Sequence, residues 1–583
     1  MCAEAPVRGS PEIIPARRGF SVSYEGKTLL SRIDPVAQGE RLAAELPMEE
    51  RTLYLCPSPL YGYGLSELLK RLKPHSAILC IEADEKLYEL SLKEIDSKLA
   101  LTKATSVEGV CTFVRESWGT RTFRRVKTLR LTGGWQLFPE LYENIEAALR
   151  REIALDWGNA MTLIRLGRLY ARNLIRNLAH TPNSENIGSL DFSSSAVLVL
   201  GAGPSLDSFL LELAAVWGGK IPSQSRRRFK IVCADTCLSA LLEREIIPDL
   251  VVILESQHWN LGDFVGVQGR KIDAALDLSA LPASARVLNG KRYFFTTPWT
   301  ELNLFRRLEK NALLPKVFPP LGSVGLSAVA LALYAGSGPV LTAGIDFSFT
   351  LDTSHARSTP AHSRRLMRQN RLTSIVNASA AFRDGTFYTV SKSGERVRSN
   401  PIMRNYRELF EQEFGRNTQK TEDRPNTFSR LLDINGTGLP LGVKTISAAE
   451  AFVILNEAGK PEQSGICNNE SSFRLSEKTE LGQIAEFIRK EMDDLQTIKD
   501  MLSGIIPSET ARLEELLVGA DYLWAHFPEC AGTSSAFTAA SKTAGHQPPF
   551  SDLSFLKRVR TEIEPFLRLW QMTLGELEGL QSK

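Results

Sequence analysis

Nothing in these 583 residues carries a large excess of one charge: 70 Lys and Arg against 67 Asp and Glu leave a formal net charge of +3. Such a balance supplies no global field to draw in nucleic acid or a membrane surface. Histidine is scarce, at seven, and the eight cysteines (2, 56, 80, 111, 233, 237, 467 and 530) form no C-x-x-C pair. Cys233 and Cys237 bracket a polar turn, but no further Cys or His stands at zinc spacing, so zinc is rejected. No window approaches about 18 unbroken apolar residues, which argues against a membrane-spanning helix. The opening stretch MCAEAPVRGSPEIIPARRG lacks the apolar run of a signal peptide and reads as a disordered arm. Together these absences predict a cytoplasmic protein with reduced thiols, no metal and no resident cofactor.

What remains is an ordinary soluble composition, 43% hydrophobic and 23% charged. The length suggests about three or four domains. Two basic runs, Arg226 to Lys230 and Arg364 to Arg371, read as solvated faces.

Residues 20–150 read as a small Rossmann-like α/β domain. RTLYLC (51–56) and AILCIE (77–82) are apolar strands around a Pro/Gly loop and the helical GLSELLKRL. Glu82 falls where a ribose-binding acid would stand, but a tight turn in an inactive nucleotide fold explains the same residues. Residues 151–190 read as a helical linker ending in the polar stretch Asn183 to Asp191. Residues 191–465 form the central domain, in which AVLVLG, FKIVCAD, DLVVILE, RYFFTT and PVLTAGID are continuous apolar runs. Runs of that kind are strands covered on both faces, as in a parallel sheet. LSALLERE and GLSAVALALYAG are the crossover helices. From 470 to 583 the pattern is helical only, with Leu481, Ile484, Ile488, Met492, Leu495, Ile498 and Leu502 on one stripe. The predicted class is α/β, a central Rossmann-like parallel sheet with a smaller N-terminal α/β domain and a C-terminal helical bundle.

Five features of the central domain fall at strand C-terminal ends, where open α/β sheets bind ligands. Gly201-Ala202-Gly203-Pro204-Ser205 lets the backbone approach a ligand and opens a helix, with Ser205 either capping it or bonding the ligand. Asp235 ends the next strand and would receive ribose hydroxyls or cap the following helix. Glu255 and Ser256 follow the third strand. Ser323 and Gly325 open the helix of GLSAVALALYAG, an N-terminus suited to carboxylate or phosphate. Asp346 ends the G-I-D strand, and His355, nine residues on, lies in the loop LDTSHARSTPAH. There it is expected to titrate near neutrality, with His362 as its rival.

The passage SVGLSAVALALYAGSGPVLTAGIDFSF, with the G-x-G-P-S-L turn upstream, resembles the bacterial CMP-sialyltransferase pattern. The wider layout resembles the motility-associated factor (Maf) flagellin glycosyltransferases and the MptE-like pterin pyrophosphokinases. Glu25-Gly26-Lys27 through Ser31-Arg32-Ile33-Asp34-Pro35 is similar to the Maf N-terminal signature, and Asp433 to Val443 to the segment that closes the central domain. The resemblance implies transfer of a nonulosonic sugar from a CMP donor to Ser or Thr hydroxyls of flagellin. It places CMP on Gly201, Gly203, Pro204 and Ser205, a ribose or base contact on Asp235 with Glu255 or Ser256 beside it, and the sugar carboxylate or phosphate on Ser323 and Gly325. His355 is the implied general base, with Asp346 beside it. Two positions depart from the pattern. Phe347, Ser348 and Phe349 stand where the sialyltransferases put tyrosines, so the leaving phosphate would be held from elsewhere: Ser348, Arg357 or Arg364. Ile345 stands where Maf chains carry a polar residue. Two other functions remain open: an Mg-dependent 6-hydroxymethylpterin pyrophosphokinase using Asp207, Asp235 and Glu255, and a non-catalytic flagellin-binding protein.

Overall fold

A computed structural model describes residues 9–119, 122–350, 353–375, 380–415, 430–457, 477–504, 510–530 and 549–581. The chain divides into two compact units, Met1–Thr162 and Leu163–Lys583, parting inside one long helix.

The first unit opens with a three-stranded antiparallel sheet, β1 (Glu12–Pro15), β2 (Phe20–Tyr24) and β3 (Lys27–Thr28). The disordered arm expected through residue 19 is therefore corrected from Glu12 onward, because Glu12 to Pro15 pair with Ser23 to Phe20. The Maf-like signature forms the β2–β3 turn, where Glu25 and Gly26 both have positive φ. It then starts α1 (Pro35–Glu45), capped by the Asp34 carboxylate. A four-stranded parallel sheet follows, built from β4 (Thr52–Pro57), α2 (Leu65–Lys70), β5 (Ala77–Glu82), α3 (Glu85–Glu94), β6 (Ala100–Lys103), α4 (Val107–Ser117) and β7 (Arg125–Thr128), in the order β6-β5-β4-β7. Glu82 is fully buried. It accepts hydrogen bonds from Tyr142 Oη (3.2 Å) and from the N–H groups of Ala83 (2.9 Å) and Asp84 (3.2 Å). Burial pushes its carboxyl up to about 7. It faces protein where a ribose acid would face a ligand.

Helix α5 (Pro139–Asn177) covers most of the expected linker and begins before it. The second unit then alternates strand and helix through β8 (Val197–Leu200), α6 (Leu206–Val216), β9 (Lys230–Ala234), α7 (Leu238–Glu243), β10 (Leu250–Ile253), β11 (Ala274–Asp277), β12 (Arg292–Phe295), α8 (Asn303–Lys310), α9 (Val324–Ala335) and β13 (Val340–Ala343). After α10 (Pro360–Met367), the hairpin β14 (Phe387–Val390) and β15 (Arg396–Ser399), and α11 (Pro401–Phe414), the sheet is completed by β16 (Leu431–Ile434) and β17 (Lys444–Ile446), followed by α12 (Ala448–Glu457). All eight sheet strands run parallel in the order β12-β11-β10-β9-β8-β13-β16-β17. β8, β10 and β13 are buried at every residue, as their unbroken apolar runs require. Helix α9, apolar on nearly every side, is buried against β8, β9, β10 and β13. Helices α13 (Glu477–Met501), α14 (Thr510–Gly519) and α15 (Leu553–Gln581) end the chain, and no helix among the described residues is long and apolar enough to cross a membrane. The Gly/Ser/Ala/Pro-rich loop before α15 lies largely outside the described residues.

The strand order fixes where a ligand fits. From β8 the chain winds outward through β9, β10, β11 and β12, then returns to β13 on the other side of β8. Between β8 and β13 the winding reverses, and the crevice at the C-terminal ends of those strands is the binding position of doubly wound sheets.

Candidate functional site

The two strand ends meet glycine to glycine. Gly201 N–H donates to Ala343 O (2.9 Å) and Gly203 N–H to Gly344 O (2.7 Å). A Cβ on Gly201 would lie 2.4 Å from Gly344 O, and one on Gly344, whose φ is +70°, 2.4 Å from Gly201 O. Only glycine allows this approach.

Asp346 locks the junction. Its carboxylate, 2% exposed, accepts from Ser205 N–H (2.7 Å) and Ser205 Oγ (2.5 Å), and its carbonyl accepts from Leu439 N–H (2.8 Å). The loop after β16 packs on this clamp: a Cβ on Gly438 would meet Asp346 Cα at 2.8 Å and one on Gly436 would meet Ser205 Cβ at 3.0 Å. Two expectations change. Asp346 and Ser205 spend their polar atoms on each other, so both are positioning residues, and Ser205 makes no side-chain cap on α6. The anion received at the start of α6 is the protein's own Asp346 carboxylate.

The junction opens into an open-sided cavity of about 150 Å³. Gly201, Ala202 and Gly203 line it, with Ala234 and Thr236 from the end of β9, Ser323, Val324 and Gly325 from the start of α9, Gly344 to Phe349, Ser354, His355 and Met403. At α9, Ser323 makes no side-chain cap, and the N–H groups of Val324 and Gly325 have no acceptor among the described residues. This helix start keeps donors for an anion in the cavity. Phe347 is held at φ +51°, a conformation costly for a large side chain and one that collects at working sites. Ser348 Oγ donates to Thr437 O (2.9 Å) and Ser399 Oγ to Phe347 O (2.8 Å), which fixes the segment.

His355 enters the cavity on a loop tied to the glycine turn. Ala356 N–H donates to Ala202 O (2.9 Å) and Arg357 N–H to Asp207 Oδ2 (2.7 Å). Its Nδ1 lies 3.0 Å from Ser354 Oγ. Burial, then Arg365, Arg364 and His362, depress the imidazole from 6.5 to about 4, which corrects the expected titration near neutrality. The loop does not leave the ring in water. His362, the rival, sits 8% exposed within α10 and does not line the cavity.

Three predicted contacts point elsewhere. Asp235 is 2% exposed and bound to Asn260 Nδ2 (2.6 Å) and Thr236 N–H (2.8 Å). Burial, with Asp263 nearby, pushes its carboxyl up to about 7. At that strand end it is Thr236 that lines the cavity. Glu255 is exposed and accepts from Gln257 N–H (2.8 Å), while Ser256 is buried with its carbonyl bound to Asn173 Nδ2 (2.9 Å). Neither lines the cavity. Pro204 follows the lining turn without lining it, Arg357 is exposed, and Arg364 pairs with Asp263 (3.3 Å). Thr236, Met403 and the Gly436–Gly438 loop were missed as site residues. The loop had a signal, two further glycines just after a strand, which sequence reading assigned only to closing the domain.

Residues 172–352 match the family model described as 6-hydroxymethylpterin diphosphokinase MptE-like. An uncharacterized protein of Treponema pallidum (strain Nichols) is 29% identical over 97% of this chain and 96% of its own length. Among solved structures, the MAf glycosyltransferase from Magnetospirillum magneticum AMB-1 superposes with a TM-score of 0.50 at 13% identity, covering 99% of this chain and 94% of that one. This chain therefore carries an MptE-like domain within a Maf-type α/β fold.

Proposed function

We propose that this protein is a cytoplasmic, metal-independent glycosyltransferase that moves a nonulosonic sugar from a CMP donor to Ser or Thr hydroxyls of flagellin. The reading is carried by one juxtaposition: at the switch point of the sheet, a glycine turn, a helix start with free N–H groups and a neutral histidine line the same cavity. The N–H groups of Val324 and Gly325 suit the sugar carboxylate or the phosphate, and the turn at Gly201–Gly203 gives the nucleotide close backbone contact. The acceptor oxygen bonds the anomeric carbon, the bond from that carbon to the phosphate oxygen breaks, and CMP leaves with the electron pair. The acceptor proton passes to the unprotonated imidazole of His355. Positioned base catalysis of this kind contributes about 10²–10⁴-fold. The expected result is that His355→Ala lowers transfer by about that factor while retaining CMP binding. Flagellin of full glycan mass from a strain carrying only the variant overturns the role of His355.

The matched family description favours a second reading, diphosphate transfer from ATP to a hydroxymethylpterin with Mg²⁺. Its carboxylates do not converge. Asp207 accepts from Arg244 and from Arg357 N–H, Asp235 from Asn260, and Glu255 from its own loop. Among the described residues no three His, Cys, Asp or Glu side chains are placed to hold a metal. Loss of activity in EDTA, restored by Mg²⁺, would select this alternative.

A further inference from the structure

From Thr353 to Ile375 the chain carries five arginines, at 357, 364, 365, 368 and 371, and no acidic residue. Helix α10 turns His362 inward and leaves Met367 83% exposed. The turn beyond it, closed by Thr373 N–H on Asn370 O (3.2 Å) and Leu372 N–H on Asn370 Oδ1 (2.9 Å), holds out Leu372 at 91% exposure. Beside α10 runs the short helical segment His258–Phe264, which exposes Trp259 at 65%, with Val265 following at 69%. Arg364 joins the two through Asp263, and a Cβ on Gly262 would lie 2.5 Å from Arg364 Nη1. Arg368 and Arg371 have no acidic partner among the described residues.

Helix α10 and the 258–264 segment are in contact, so Met367 and Trp259 stand out in water on neighbouring elements beside the arginines, a mixture of apolar and cationic side chains that suits contact with a partner. A nucleic-acid surface needs cations spaced for phosphates and little aliphatic area. We propose that this face docks the acceptor protein through an acidic surface bearing apolar side chains. It borders the cavity, because Ser354 and His355, which line it, lead into α10 at Pro360. An acceptor seated on α10 and the 258–265 segment brings a hydroxyl to that imidazole, and the arginines select the acidic partner. The inference rests on the transfer reading only for the choice of acceptor.

The test is binding of purified flagellin monomer to the full-length chain at low and at physiological salt. The variants are Arg368→Glu/Arg371→Glu and, separately, Met367→Ser/Leu372→Ser, all at exposed positions outside the cavity. Binding that weakens with salt and falls about tenfold or more in each variant, with CMP affinity unchanged by calorimetry, is the expected result. Equal binding by the variants, no binding of flagellin to the parent chain, or tighter binding of a duplex DNA oligonucleotide overturns it. Should CMP fail to bind while charge reversal still abolishes flagellin binding, the transfer reading falls and the docking surface stands.

Discussion

Taking the His355 imidazole out of water and setting Arg365 and Arg364 beside it both penalise the charged ring, so the free protein holds it unprotonated down to about pH 4. A base must be unprotonated to accept a proton, so the role proposed for His355 is open to it throughout the neutral range. The anionic donor proposed for the cavity would add a charge of the opposite sign and raise the ring's proton affinity. Histidine-selective NMR, with the resonance assigned by its loss in His355→Ala, should show titration near 4 in the free protein and a higher value with CMP bound. A free-protein value near 6.5 would mean that the ring stands in water. The sign for stability follows: the unfolded chain takes up the proton at about 6.5 and the folded chain near 4, so this residue's contribution to stability is lost as pH falls through that window. The polar character of LDTSHARSTPAH marked a working loop, but no periodicity shows that Ala356 ties it to Ala202 across the site. Asp346 was legible as a strand-end acid. Its engagement with Ser205, 141 positions earlier, was not.

At the level of turns and strands, the glycine contacts are the feature that substitution tests most cleanly. A methyl on Gly203 would lie 2.5 Å from Asp346 Oδ2 and 2.6 Å from Gly344 O. Neither atom yields without parting β8 from β13 or breaking the clamp on Ser205. Gly203→Ala is expected to weaken CMP binding about tenfold or more (about 1.4 kcal/mol) while the sheet stays folded. A Gly203→Ala protein that binds CMP as the parent does would show that the turn is not part of the site. Gly158→Ala, with open space around its position, is the matched control. Five of the eight sheet strands, β8 and β13 at the crevice among them, were readable because both of their faces are covered, which leaves continuous apolar runs. β11, β16 and β17 escaped. β11 is alanine-rich and closes on Asp277, β16 carries Asp433 in its middle, and β17 is three residues long with Lys444 and Thr445 exposed. That aspartate is tolerable in the sheet because Lys392 meets both its oxygens at 2.8 Å and Thr342 Oγ1 donates to it (3.0 Å). The partner comes from the loop after β14, 41 positions away, and so left no local trace.

Across the second unit, the terminal helices are joined to the sheet layer by a buried polar seam. Arg307 on α8 meets Glu491 on α13 through two bonds, 3.0 and 2.8 Å. Tyr522 Oη donates to the same carboxylate (3.2 Å), and Trp570 Nε1 on α15 donates to Tyr522 Oη (3.2 Å). Asn303 N–H donates to Asp521 Oδ2 (2.6 Å), which also fixes the start of α8. The helices themselves were readable from apolar spacing of three and four. The seam was not, since Arg307 and Glu491 stand 184 positions apart and buried charges break the apolar pattern that identifies a core. Glu491 is 4% exposed, and burial pushes its carboxyl up even with Arg307 beside it. Removing the guanidinium leaves a buried carboxylate without its counter-charge, a change that costs about 3–5 kcal/mol. Arg307→Met should therefore unfold this region at markedly lower denaturant at pH 8, followed by the fluorescence of buried Trp524 and Trp570. The deficit should shrink on acidification, because the folded state then gains stability by protonating Glu491 at a pKa raised above its unfolded value. Arg307→Met/Glu491→Leu should recover most of the loss, since an apolar pair of similar volume needs no counter-charge. A single variant within about 1 kcal/mol of the parent at pH 8, or a double variant no better than the single, would mean that apolar packing alone holds the terminal helices in place.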